Sequence, residues 1–203
     1  MGAVIIGITG GVGSGKSAVM DILKEDYGAE IILADNVGHE VMAKGGAAYP
    51  AIKEHFGTGI LDGVTGEIDR KKLGAYVFNN KKELQKLNSI IHPAVKKEIM
   101  ERIQNIRQKE PDKLIAIEAA LLLEDNYDEI CDVIWYVYAD ETVRRRRLRE
   151  GRGYSDEKTD SVMQNQMSEA EFKCNCDDII DNSEDIETTR KNLQKTVAKY
   201  MPL

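Results

Sequence analysis

The stretch Gly10-Gly11-Val12-Gly13-Ser14-Gly15-Lys16-Ser17 lies between a short apolar run and a helical pattern. The run, Ala3 to Ile8, is typical of a strand buried on both faces. Apolar residues then recur at helical spacing from Val19 until about Gly28. The stretch therefore satisfies the pattern G-x-x-x-x-G-K-[ST] in the strand–turn–helix context that this pattern requires.

Each part of this stretch has a role in holding phosphate. Glycines let consecutive backbone N–H groups curl around phosphate oxygens, and the helix N-terminus adds its positive end. Lys16 is expected to reach the β- and γ-phosphates, and the Ser17 hydroxyl to complete a Mg²⁺ site shared with the nucleotide. The sequence thus predicts a nucleoside triphosphate whose γ-phosphate is cleaved or transferred. The residues assigned to this nucleotide are Gly11, Val12, Gly13, Ser14, Gly15, Lys16, Ser17 and Ala18.

Four further apolar runs predict strands, and helical segments separate them, which indicates a parallel sheet with crossover helices. The runs are Glu30–Ala34, Leu114–Glu118, Val133–Tyr138 and Asp178–Asp181. The second and third runs are about 78 residues apart, whereas a minimal crossover needs about a dozen. This interval is therefore an insertion. Its later part is helical, and Pro93 is predicted to separate two helices there.

The charge distribution restricts the classes of partner. The chain has 28 basic and 35 acidic residues, but the segment Thr142–Arg152 holds six arginines and one acid. The rest of the chain has a net charge of −12. An acidic body argues against nucleic acid and anionic membrane surfaces, whereas one arginine cluster favours a local anion.

Other sequence features predict a cytoplasmic protein with no membrane partner. The longest apolar stretch, Val133–Ala139, is far shorter than the roughly 18 residues of a membrane-spanning helix. No basic residue precedes Lys16, so the positive region of a signal peptide is missing. Three cysteines are too few for a disulfide framework. Cys174-x-Cys176 lacks further metal ligands at suitable spacing, so both thiols are expected to be reduced and uninvolved.

Two carboxylates at predicted strand ends are candidates for phosphoryl transfer. Asp35 follows the second strand, and ligands of open parallel sheets collect at the carboxyl ends of strands. It could take the proton of an acceptor hydroxyl, as in a small-molecule kinase, or it could simply cap the next helix. Glu118 ends the third strand and could help to hold Mg²⁺, directly or through water, or be an ordinary strand-end acid.

Two non-kinase interpretations remain open at this point. Asp35 to Glu40 matches the GTPase pattern D-x-x-G-x-E, but only 18 residues separate it from Lys16, too few for a switch loop and its strand. A guanine-recognition pattern is only approached at Asn80–Glu83. The chain could also be a nucleotide-dependent binding protein whose catalysis has lapsed.

The arginine segment follows the fourth predicted strand. Arg144, Arg145, Arg147 and Arg149 cannot all share one helix face, so some are solvated while others could close over phosphates as a lid. The predicted fold is α/β: a parallel five-stranded sheet flanked by helices, with a helical insertion and a short lid. Within a single domain, 1–203, the core is 1–35, 112–142 and 175–203, the insertion is 36–111 and the lid is 143–174.

The motifs, in their order, resemble the dephospho-CoA kinase family over nearly the whole chain. Thr9–Ser17 is similar to its T-G-G-I-G-S-G-K-S, and Leu33–Asp35 to its D-A-D. His39, Asp69-Arg70, Leu87-Asn88, His92-Pro93, Glu118–Glu124, Gln166 and Asp177–Asn182 fall on further family signatures. The chain departs from the family at Leu33, Ala120, Val162, Cys176 and in the lid, which makes it a divergent member.

This resemblance implies a P-loop kinase-type fold whose helical insertion is the substrate-binding one. It also implies phosphorylation of the ribose 3′-hydroxyl of dephospho-CoA by Mg·ATP, in a monomer or small homo-oligomer. Asp35 would be the base, acting with Lys16, and Arg147 with Arg149 or Arg152 would bind ATP and neutralise the migrating phosphoryl. The residues implied for the acceptor are Asp35, His39, Arg70, His92, Leu121 and Glu124. His92 could equally be a capped or buried histidine. The alternative function is a related nucleoside or nucleotide kinase with a different acceptor.

Overall fold

The computed structural model describes residues 4–119, 122–123 and 125–201, and within these residues five strands form one sheet. The strands are β1 (Ile5–Thr9), β2 (Glu30–Leu33), β3 (Ile115–Glu118), β4 (Val133–Tyr138) and β5 (Asp178–Asp181). Their order is β2-β3-β1-β4-β5, so the glycine-rich stretch leaves the central strand. β1 runs parallel to β3 and β4, and β4 runs parallel to β5. The predicted five-stranded parallel sheet is confirmed.

Helices follow the strands and fill the long interval between β2 and β3. They are α1 (Lys16–Tyr27), α2 (Ala34–Met42), α3 (Tyr49–Phe56), α4 (Arg70–Phe78), α5 (Lys81–Lys109), α6 (Glu141–Arg152), α7 (Asp156–Gln164), α8 (Glu169–Asn175) and α9 (Ile186–Tyr200). α1 ends where the sequence predicts, because Gly28 has a φ of 63° and its N–H bonds the last carbonyls. No helix of the described residues combines the length and apolarity needed to cross a membrane.

The three inner strands, β1, β3 and β4, are mostly buried on both faces, as a parallel sheet with crossover helices requires. Every residue of β1 is buried, and its register places Ile8 beside Glu118 of β3 and Trp135 of β4. Trp135 is completely buried, and its ring centroid lies 5.9 Å from that of Tyr200 in α9. The indole is therefore a packing residue.

The chain divides into two compact units. The first comprises the chain up to Ile32 and from Ile106 onward, and the second comprises Leu33–Asn105. The first unit holds most of the sheet with α1 and α6–α9, and the second holds α2–α4 and most of α5. The finer division into core, insertion and lid stays a prediction.

The second unit corrects one prediction, because Pro93 does not separate two helices. α5 runs unbroken from Lys81 to Lys109 with the proline inside it. Buried Leu87 and Val95, on either side of Pro93, belong to the same helix. The carbonyl that loses its hydrogen bond is that of exposed Ser89, four residues earlier, so water can replace the missing donor.

Candidate active site

The glycine-rich stretch forms a loop between β1 and α1, and glycine ends it. Gly15 is the N-cap of α1 with a φ of 89°, a conformation that other residues rarely adopt. A Cβ there would overlap the side-chain amide of Asn182. The first turn of α1 has no acidic residue, so no carboxylate offsets its positive end. The loop therefore has the glycine conformation and the uncompensated helix end that a phosphate cradle needs, and phosphate binding stays a prediction.

Carbonyl groups of the loop accept hydrogen bonds from cationic and amide side chains. Lys16 Nζ donates to the Gly10 carbonyl at 3.0 Å, and Arg144 Nε donates to the Val12 carbonyl at 2.9 Å. The Ser14 carbonyl accepts from Asn182 Nδ2 at 2.7 Å and from an Arg147 nitrogen at 3.2 Å. Because a trans peptide is planar, a carbonyl fixed on one side directs the following N–H to the other side. The contacts at the Gly10, Val12 and Ser14 carbonyls therefore restrict the directions of the Gly11, Gly13 and Gly15 amides.

Asn182 is the central part of this support. It follows β5, is 3% exposed, and accepts a hydrogen bond from the Thr189 hydroxyl at 2.8 Å. Its backbone carbonyl accepts from Arg147 at 2.9 Å. Both ends of the amide are therefore committed, and Asn182 links the end of β5 to the loop, to α6 and to α9.

Lys16 and Glu118 meet at the base of the loop. Lys16 Nζ lies 3.7 Å from a carboxylate oxygen of Glu118, and the two side chains are 16% and 24% exposed. Ser17, the second residue of α1, is exposed. A hydroxyl and a carboxylate beside a phosphate cradle are the hard oxygen ligands that Mg²⁺ prefers, so these residues fit the predicted ion.

The arginine segment forms α6, and its members have different partners. Arg145 bonds Glu141 at 2.7 Å and Asp160 at 2.6 Å, and Arg149 pairs with Asp156 at 2.8 Å. Arg152 is exposed at the end of the helix. Exposed and acid-paired arginines thus share the helix with Arg144 and Arg147, which contact the loop, and the predicted closure of arginines over phosphates as a lid stays a prediction.

Arg147 and Arg144 lie against the loop rather than in solvent. Burial lowers the pKa of both guanidinium groups, and the neighbouring Arg146 lowers that of Arg147 further. Arginine stays protonated despite such shifts. The contacts of Arg147 are with backbone carbonyls, so its predicted role against the migrating phosphoryl, like those of Arg149 and Arg152, stays a prediction.

The predicted acceptor-side residues belong to the second unit or fall outside the described residues. Asp35 is the second residue of α2 and is exposed; Leu33 occupies the N-cap position, so Asp35 is not the cap. His39 is exposed four residues later, on the same helix face. Arg70 begins α4, and His92 is half-buried within α5 and has an interaction partner.

Leu121 and Glu124 lie outside the described residues. The roles of all these side chains stay predictions, as does the shared crevice of Asp35 and the cradle. The stretch Asp35–Glu40, which matched a GTPase pattern, lies within α2 rather than forming a switch loop.

Residues that support the loop were only partly anticipated from the sequence. Gln166 and Asn182 fall on family signatures, but the sequence assigns no function to either side chain. Arg144 is one of six arginines in its segment. The one sequence clue to these two residues is their position, because Asn182 follows a strand and Gln166 lies between two helices. The contacts themselves span 132 to 168 residues, which no local pattern encodes.

The described residues around the cysteines include no metal-binding cluster. Among the described residues, no group of three or more His, Cys, Asp and Glu side chains is suited to hold a metal ion. Burial raises the pKa of the Cys131 thiol to about 12, with Asp132 and Asp128 adding to it. Burial and Asp177 likewise raise the pKa of Cys176 to about 12, whereas Cys174 is exposed.

The sheet and the loop with Lys16 and Glu118 define a P-loop kinase. The family model for dephospho-CoA kinase matches residues 4–188 of the chain. The dephospho-CoA kinase of Carboxydothermus hydrogenoformans is 38% identical over 196 residues, which are 97% of this chain and 94% of that relative. The chain belongs to the dephospho-CoA kinase family.

Solved structures agree with the fold. TT1252 from Thermus thermophilus matches with a TM-score of 0.80 at 26% identity, covering 99% of this chain and 100% of the other. The dephospho-CoA kinase from Campylobacter jejuni matches with a TM-score of 0.65 at 23% identity, covering 98% of each chain. The predicted P-loop kinase fold is confirmed.

The support of the Ser14 carbonyl can be tested through Asn182. Asn182→Ala should lower the free energy of unfolding by about 1–3 kcal/mol, because it removes a buried donor and acceptor together. Asn175→Ala, at an exposed amide that bonds only its own helix, should change it by less than about 0.5 kcal/mol. Urea unfolding followed by circular dichroism measures both. Equal effects would contradict the structural role of Asn182.

The three thiols should differ in reactivity at pH 8. Cys174 should react rapidly with a chromogenic disulfide reagent, whereas Cys131 and Cys176 should react slowly until the chain unfolds. The reason is that a pKa of about 12 leaves almost no thiolate at this pH. Cys174→Ser should remove the rapid phase. Two or three rapid thiols in the folded protein would show that the prediction is wrong.

Proposed function

We propose that the chain transfers the γ-phosphoryl group of ATP to the ribose 3′-hydroxyl of dephospho-CoA, giving coenzyme A and ADP. Membership of the dephospho-CoA kinase family makes it a phosphotransferase with an alcohol acceptor at the last step of coenzyme A biosynthesis. The observation that carries the proposal is the glycine-rich loop between β1 and α1, with Lys16 beside Glu118, on a chain that matches this family along 97% of its length.

The triphosphate end of ATP would lie on the loop. The amides that follow the held carbonyls of Gly10, Val12 and Ser14 would meet phosphate oxygens, and Lys16 would exchange the Gly10 carbonyl for a phosphate. When bound, Mg²⁺ neutralises charge on the β- and γ-phosphates. Ser17 would hold it directly and Glu118 directly or through water.

The acceptor would be handled by the second unit, with residues 36–111 as the substrate-binding insertion and 143–174 as the lid. Asp35 would accept the proton of the 3′-hydroxyl while the hydroxyl oxygen bonds the γ-phosphorus. At the same time the bond between the γ-phosphorus and the β–γ bridging oxygen breaks. ADP leaves with that bridging oxygen. His39, Arg70, His92, Leu121 and Glu124 would contact the acceptor, and Arg147 with Arg149 or Arg152 would neutralise the migrating group.

The identity of the acceptor is tested by product analysis. The protein is incubated with Mg·ATP and, separately, dephospho-CoA, nucleosides and nucleoside monophosphates, and the products are identified by mass. We expect phosphorylation of dephospho-CoA with ADP formed in equal amount. A nucleoside or monophosphate as preferred acceptor would support the alternative kinase, and nucleotide binding without any product would support lapsed catalysis. Preference for GTP with slow hydrolysis would support the switch interpretation.

The role of Asp35 has its own prediction. Asp35→Asn should retain Mg·ATP affinity but lower kcat by roughly 10²–10⁴-fold, because general-base catalysis contributes about that factor. Asp21→Asn, at an exposed acid of α1, is the matched control and should leave kcat unchanged. Steady-state kinetics and calorimetry with Mg·ATP measure the two quantities. A near-normal rate for Asp35→Asn would exclude it as the base.

A further inference from the structure

Val12, at the middle of the loop, is held from both sides by side chains of the segment 143–174. Its N–H donates to Gln166 Oε1 at 2.9 Å, and its carbonyl accepts from Arg144 Nε at 2.9 Å. A second nitrogen of the same Arg144 guanidinium lies 3.4 Å from Gln166 Oε1. The three residues therefore form a closed ring of hydrogen bonds around one residue of the cradle.

The chemistry of this ring requires an oxygen at Gln166. A backbone N–H and a guanidinium are both obligate donors, so only the carbonyl oxygen of the Gln166 amide can face them. Gln166 itself is held in place, because its N–H bonds the Met163 carbonyl at the end of α7. Gly11 also fits the ring, since a Cβ at that position would overlap the Arg144 guanidinium.

The ring fixes the two peptide planes that flank Val12. Gln166 holds the plane between Gly11 and Val12, whose carbonyl also accepts the Ser14 N–H at 3.1 Å. Arg144 holds the plane between Val12 and Gly13. Two adjacent planes fixed before a ligand arrives leave less ordering to be done when the triphosphate binds.

We propose that Gln166 is a positioning residue, which acts through the Val12 peptide to preorganise the phosphate cradle and connects the segment between α7 and α8 to nucleotide binding. The proposal deepens the proposed function, on which its kinetic part rests. Gln166 does not need to touch the nucleotide. Loss of the Gln166 side chain should weaken the binding of ATP equally in the ground state and in the transition state. The KM for ATP should therefore rise while kcat changes little.

The direct test is hydrogen exchange of the Val12 amide in the nucleotide-free full chain, measured by ¹⁵N NMR. Gln166→Met keeps the length of the side chain but removes the oxygen, and should speed this exchange about tenfold or more. Gln166→Ala should do the same without the methionine bulk. Gln166→Glu keeps an oxygen and should retain the wild-type exchange rate. Gln164→Met, two residues earlier on the exposed end of α7, is the matched control and should also behave as wild type.

The functional arm uses Mg·ADP binding by calorimetry and steady-state kinetics. Gln166→Met should raise both the Kd for Mg·ADP and the KM for ATP about three- to tenfold, the range expected for one lost hydrogen bond. The values of kcat and of the acceptor KM should stay within about twofold. Equal Val12 exchange in wild type and Gln166→Met, or loss of protection in Gln166→Glu, would overturn the proposal. So would a fall in kcat with an unchanged KM for ATP.

The two arms separate this proposal from the identity of the acceptor. If dephospho-CoA proves not to be the substrate, the exchange rates and the Mg·ADP affinities still decide whether Gln166 positions the loop. If Val12 exchange is insensitive to Gln166 while dephospho-CoA is phosphorylated, only the positioning role fails.

Discussion

The orientation of the loop peptides depends on hydrogen bonds that side chains donate to the carbonyl oxygens of the loop. The Ser14 carbonyl accepts from Asn182 and Arg147, the Val12 carbonyl from Arg144, and the Gly10 carbonyl from Lys16. Because each peptide is planar, these contacts set the direction of the next amide. Glycine then allows the turn and the close approach of the supporting side chains. A loop of this kind would bind an anion through backbone groups, but side chains 132 to 168 residues away in the sequence hold those groups by hydrogen bonds.

The arginine cluster gains a different meaning once its partners are known. The net positive charge of the segment favours binding of an anion. From the sequence, the simplest interpretation is a lid that closes on phosphate. In the structure, two of its members donate to carbonyls of the loop and two are paired with acids of α7. Positive charge near the cradle is therefore partly structural. It stabilises carbonyl dipoles and adds a positive potential where the triphosphate would lie.

Most strands and the cradle could be predicted because they depend on local patterns. An apolar run of four to six residues between turn signals needs no distant information, and β4 and β5 have the bounds that the sequence predicts. Pro93 shows where local rules fail. The free-energy cost of a proline within a helix is smaller than the stabilisation from packing one long stripe of buried side chains. The carbonyl that loses its hydrogen bond also lies on an exposed face of the helix. Tertiary packing therefore kept α5 continuous.

The sequence by itself determined the phosphate-binding loop, the parallel sheet and the family, because all three follow from residue types at fixed short spacing. Only the tertiary structure decided which side chains support the loop. Asn182, Arg144 and Gln166 come from different elements, and their function depends on the order β1-β4-β5 and on the rotation of α6 against the loop. The spacing of residues along the sequence does not encode that rotation. The reason is physical: a hydrogen bond requires a donor within about 3 Å of its acceptor, and only the folded chain sets that distance.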